Sequence, residues 1–194
     1  GEEEIGSPTL SALLERYRDD LRADAYVIAD ATNWEVGQPA FTTMLRGLID
    51  VEVTVSTLRS GVHSGEFGGV VPDALTALCR LLATLHDADG NVAIQGLVHT
   101  AAPALDYPQD RLRTEAGVLE GVQLIGSGSV VERLWTRPAV SVIGLDTTRI
   151  ADASSTLIPS ASAKVSVRLA PGENRERAMD AVVAHLEQHA PWGA

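Results

Sequence analysis

Between residues 47 and 57 apolar and polar positions alternate. Ile49, Val51, Val53 and Val55 point one way, and Asp50, Glu52 and Thr54 the other. A period of two in a β-branched stretch predicts a strand with one wet face, here read as 41–57. The alternation returns at 162–169, with Lys164, Ser166 and Arg168 on one side, and 139–145 is a third apolar strand. Residues 72–87 carry a helical stripe read as Leu75, Leu78, Cys79, Leu82 and Leu85, and 173–190 form another helix. Nearer the start, Ser7 is a candidate N-cap, Pro8 suits a first turn, and Leu10, Leu13, Leu14 and Tyr17 make an apolar stripe. The run 25–30 is continuously apolar and ends on Asp30. That pattern predicts a buried parallel strand with a carboxylate at its C-terminal edge, where open α/β sheets gather functional groups. Residues 31–39, with Asn33, Gly37 and Pro39, read as a linker. Residues 88–138 are weakly patterned, with helices expected near 111–121 and 129–135.

From residue 41 the order is β-α-β-β-α. One more strand would complete a split β-α-β unit of ferredoxin-like type, an α+β fold with an antiparallel sheet and two helices on one face. The pattern stops at Pro191-Trp192-Gly193-Ala194, where that strand should begin. The fold is therefore expected to lack its last strand, and the chain to be a segment of a longer protein. Two domains are expected: 1–39, a helix–strand remnant of an α/β domain, and 40–194, with 88–138 as a long insertion.

Composition narrows the function. The net charge of −11 over 194 residues argues against nucleic acid and against an anionic membrane surface. No apolar run approaches the roughly 18 residues needed to span a bilayer. The single cysteine, Cys79, allows no internal disulfide and suits a reducing, cytoplasmic compartment. Its place on a helical stripe makes it core filling, not a nucleophile.

Three places could carry chemistry. Glu3 and Glu4, with Asp30, offer carboxylates to a divalent ion or a general base. Equally, they read as a solvated acidic start stabilising the positive end of a helix. His63 stands in a glycine-rich loop, Ser-Gly-Val-His-Ser-Gly-Glu-Phe-Gly-Gly, from which it can donate to developing negative charge or simply sit on the surface. That loop has few apolar anchors, so His63 is expected to be exposed and to pack against nothing in its own chain. Arg168 can clamp a carboxylate or line a solvated strand face. His86, His99, His185 and His189 are given no role.

The motifs occur together and in order: Glu-Glu-Ile-Gly-Ser-Pro, Ala-Asp-Ala-Thr-Asn-Trp, Leu-Arg-Gly, Val-His-Ser-Gly-Glu-Phe-Gly-Gly, and Ser-Thr-Leu-Ile-Pro leading to Val-Arg-Leu-Ala-Pro. This constellation resembles the dinuclear-zinc peptidases and deacylases, which include carnosinase-like dipeptidases, acetylornithine deacetylase, succinyl-diaminopimelate desuccinylase and glutamate carboxypeptidase. The resemblance implies a dizinc, homodimeric hydrolase of dipeptides, in which zinc-bound hydroxide attacks the amide. It implies Glu3 as general base and Glu4 and Asp30 as zinc ligands. It implies that His63, on a lid or dimerisation domain, crosses the dimer interface to polarise the scissile carbonyl, with Thr156 and Arg168 holding substrate. The long segment 88–138 favours the dipeptidase branch. An N-acyl amino-acid deacylase on the same scaffold, or a non-catalytic dimerisation module, are the alternatives. The family's upstream histidine, bridging aspartate and final histidine have no match here, so this stretch is expected to be inactive alone and to hold no tight zinc.

Overall fold

The computed structural model describes residues 2, 5–28 and 33–194. It divides into two units, Gly1–Thr43 and Met44–Ala194. In the first unit α1 spans Leu10–Arg16. Thr9 precedes it as the cap in place of Ser7, and the Thr9 hydroxyl donates to the Glu2 carboxylate. The stripe of Leu10, Leu13, Leu14 and Tyr17 is exposed. Residues 25–28 do not form the expected strand: Tyr26, Val27 and Ile28 are exposed coil. A strand is held by a neighbouring strand's hydrogen bonds, and among the described residues of this unit none lies beside it. Asp30 lies outside the described residues.

The second unit begins with β1, Gly47–Ser56, six residues later than the predicted start. A short strand β2, Val62–His63, leads into the one-turn helix α2, Ser64–Phe67. Helices α3, Ala74–Ala83, and α4, Gln109–Ala116, follow. A π-helical turn at Glu132–Thr136 then runs into β3, Ala139–Asp146. The chain continues through β4, Thr156–Leu157, into β5, Ser160–Leu169, and α5, Arg175–Gln188. Both helices expected in 88–138 are present. The second starts from a capping box, in which Ser129 N–H donates to the Glu132 carboxylate and Glu132 N–H to the Ser129 hydroxyl. Among the described residues, no helix is long and apolar enough to cross a membrane.

The main sheet has the order β1-β5-β3, with β5 antiparallel to both neighbours. Strands β1 and β3 are therefore parallel to each other with β5 between them, and α3 lies in the crossover. This is the split β-α-β arrangement expected from the sequence. Ile49 and Val55 of β1 and Ala161, Ala163, Val165, Val167 and Leu169 of β5 are buried. Ala74, Ala77, Leu78 and Leu81 of α3 and Ala178, Val182 and Leu186 of α5 join them in one core. Both helices thus cover the same face of the sheet. The buried stripe of α3 is turned from the predicted one. Its small Ala74 and Ala77 let the helix approach the sheet, Leu75 and Leu82 are only partly buried, and Cys79 is exposed, not core.

Candidate functional site

β2 and β4 form a second, two-residue sheet in which Val62 faces Leu157 and His63 faces Thr156. Directly opposed residues of an antiparallel pair project to one side, with Cβ atoms about 5 Å apart. The sequence separates His63 and Thr156 by ninety-odd positions; the ladder makes them neighbours. Ser64 N–H donates to the Ser155 carbonyl at 2.8 Å, extending the pairing.

The ladder is tied to the core by Asp73. This residue caps α3, accepting Thr76 N–H at 2.9 Å on one oxygen, and accepts Ile158 N–H at 3.0 Å on the other. Thr57 N–H donates to the Pro159 carbonyl at 3.0 Å, holding the same turn against the end of β1. Sequence reasoning gave Asp73 no role, although Pro-Asp ahead of an apolar run is a recognisable N-cap signal.

His63 is exposed, as expected, but its ring is not free of its own chain. Nδ1 accepts the Gly65 N–H at 3.1 Å. In the neutral ring that bond puts the proton on Nε2, which is then a donor. A Cβ on Gly65 would lie 2.8 Å from His63 Cε1, and one on Gly61 would lie 2.8 Å from the Thr156 methyl. Two of the loop's glycines are thus spacers for the two candidate side chains. The Thr156 hydroxyl shares a 2.8 Å hydrogen bond with that of Ser154.

Arg168 is exposed on the face of β5 turned from the helices, between Leu48 and Ala139 in the two ladders. Eight residues separate it from Ser160, roughly 26 Å along a strand. Only Ile158 and Pro159 join β4 to Ser160, so His63 and Thr156 stand near one end of the sheet and Arg168 at the other. A fully extended dipeptide spans about 7 Å.

Glu3, Glu4 and Asp30 lie outside the described residues. Among the described residues no three His, Cys, Asp or Glu side chains gather as a metal site.

The fold has counterparts among known proteins. The family model described as the peptidase dimerisation domain of M20 peptidases matches residues 43–194. A cysteinylglycine-S-conjugate dipeptidase from Corynebacterium striatum is 35% identical over all of this chain and 44% of its own length. A Cys-Gly metallodipeptidase from Schizosaccharomyces pombe is 27% identical over 96% of this chain and 42% of its own. The crystal structure of human carnosine dipeptidase 1 superposes with a TM-score of 0.75 at 26% identity, covering 96% of this chain and 42% of that one. The chain spans less than half the length of these relatives.

Proposed function

The chain belongs to the M20 peptidase dimerisation domain family, and on that premise we propose that its second unit is the dimerising lid of a metal-dependent dipeptidase, lending His63 and Thr156 to the site of a second copy. The observation that carries this reading is the distance between the two ends of the sheet. His63 and Arg168 of one chain cannot both touch a molecule as short as a dipeptide. Two copies related by a two-fold axis can bring one chain's His63 and Thr156 to the other chain's Arg168.

In this reading Arg168 holds the substrate carboxylate of its own site. The partner's Nε2–H, oriented by the bond to Gly65, donates to the amide oxygen as negative charge builds on it. Thr156, carried on the same ladder, bonds substrate beside it. The metal ions, zinc in this proposal, would supply an activated water and be held in part by Glu4 and Asp30, with Glu3 as the base. Residues 1–39 would belong to the catalytic domain. The edge strand β3, with Val142, Ile143 and Leu145 about half exposed, offers apolar surface for a homodimer. A cytoplasmic location accords with the lone, unpaired Cys79.

The test is a hydrolysis screen of the full-length protein, with added zinc, against dipeptides and N-acyl amino acids. Dipeptide cleavage lost in His63→Ala is the expected result. A preference for N-acyl amino acids would replace the dipeptidase reading with a deacylase, and no amide hydrolysis at all would leave a dimerisation module.

A further inference from the structure

We propose that Arg46, the arginine of the Leu-Arg-Gly segment, is the positioning residue for Arg168, holding the end of the sheet at which Arg168 takes a carboxylate. This rests on the reading of Arg168 given above. Arg46 stands just ahead of β1, and its guanidinium donates to the Leu134 carbonyl at 2.7 Å and the Arg137 carbonyl at 3.0 Å. Both acceptors precede β3, on the far side of β5. The ladder partners of Arg168 are Leu48 on one side and Ala139 on the other. Arg46 lies two residues before Leu48, and Arg137 two residues before Ala139. The Arg46–Arg137 bond thus closes a small ring of chain around Arg168, tying together the two strands that flank it.

The same bonds cap the π-helical turn. Its last carbonyls have no partner within the turn, and the positive guanidinium answers both the hydrogen bonds and the local dipole. Gly47 completes the corner, since a Cβ there would meet the Leu169 side chain at 3.2 Å, directly beside Arg168.

Two features run against a purely structural role. Arg46 Nε is buried without a partner, an unmet donor that a simple apolar contact would avoid. Arg46 is also half-buried beside a second cation: burial, and then the charge of Arg168, push its pKa below the usual arginine value. The two like charges repel each other, and an anion bound to Arg168 relieves that repulsion. The pair therefore favours a carboxylate over a neutral group of the same shape.

The experiment compares, in the full-length enzyme, its best dipeptide or N-acyl amino-acid substrate with the C-terminal amide of that substrate. Arg168→Gln is expected to raise KM for the free acid on the order of 10- to 100-fold and to leave the amide little changed. Arg46→Gln should move the acid-to-amide ratio in the same direction, by about 3- to 10-fold, and add little on top of Arg168→Gln, as coupled neighbours do. Arg46→Lys keeps the charge but reaches only one carbonyl at a time, and should fall between. Thermal unfolding is followed alongside, so a general loss of fold is seen as such; if Arg46→Gln does not fold, the lysine variant decides. A shifted ratio for Arg168→Gln with an unchanged ratio in the folded Arg46 variants overturns the positioning role alone. An unchanged ratio for Arg168→Gln overturns the carboxylate clamp, and the positioning role with it.

Discussion

Thr156 stands directly opposite His63 in a two-residue ladder, and a glycine lies against each side chain, Gly65 under the imidazole and Gly61 under the threonine methyl. The pairing makes the two side chains one unit, so disturbing either glycine should act through its neighbour. Gly65→Ala would push a methyl group to 2.8 Å from the imidazole ring, with no conformational strain at the backbone. We expect kcat of the full-length enzyme to fall on the order of 10- to 100-fold, as a displaced group no longer meets the reacting oxygen. His63→Ala should lower kcat on the order of 100- to 1000-fold, far more than it raises KM. Steady-state kinetics checks both, and an equal rise of KM in each would point to ground-state binding instead.

Gly61 offers a compensation test. Gly61→Ala is expected to crowd the Thr156 methyl and weaken substrate binding. Thr156→Ser removes that methyl and keeps the hydroxyl, so the double variant should bind better than Gly61→Ala alone. Measured KM values for the two singles and the double give the coupling, and strict additivity would show that the methyl contact is not what Gly61 protects.

The core should answer as one cooperative unit. Leu78 of α3 is fully buried in the core that the sheet shares with α3 and α5. Leu78→Ala should cost about 2–5 kcal/mol by denaturant unfolding. Cys79, its exposed neighbour, should tolerate serine with a change within about 0.5 kcal/mol.

His185 gives the fold a pH dependence. It is 6% exposed. Its Nε2 lies 3.1 Å from both the Thr84 hydroxyl and the Thr84 carbonyl, and its ring stacks on His189 at 4.1 Å. Burial first, and His189 second, hold its pKa below the ordinary value, while the Thr84 carbonyl raises it. The folded state thus binds this proton less readily than the unfolded chain, and stability falls as pH drops through the ordinary histidine value of about 6.5. Melting temperatures of wild type and His185→Gln, taken between about pH 7.5 and 5, should differ in slope, the variant being flatter. Parallel curves would remove His185 as the cause.

Much of this was legible in the sequence, and the reason is local. The β1 and β5 alternations report which face is buried, because one apolar residue in two can reach the core. The stripe of α3 lies one position from the predicted one, as alanines score weakly although Ala74 and Ala77 are what let the helix come close. The run 25–28 shows the limit: an apolar segment becomes a strand only beside another strand, and no pattern within it states where that neighbour is. In the sequence Arg46 stands out only as part of the Leu-Arg-Gly motif. Its partners lie 88 and 91 residues away and are backbone carbonyls, which carry no signature of their own. The His63 ring bond to Gly65 is hidden for a different reason, since a glycine-rich loop does not state which of its glycines make room for specific side chains.

The central claim is that His63 and Arg168 act in one site only when they come from different chains, and subunit mixing tests it most directly. Full-length His63→Ala and Arg168→Gln proteins, each strongly impaired on a free-acid dipeptide supplied well below the wild-type KM, are combined in equal amounts and assayed under that condition, and exchange is verified by native mass spectrometry. Each mixed dimer would then hold one site with Arg168 from one chain and His63 from the other, both intact. With random two-fold pairing, activity should recover to about one quarter of wild type. Mixed dimers seen by mass but showing no activity above the parents would contradict the claim, and would place His63 and Arg168 in the same chain's site.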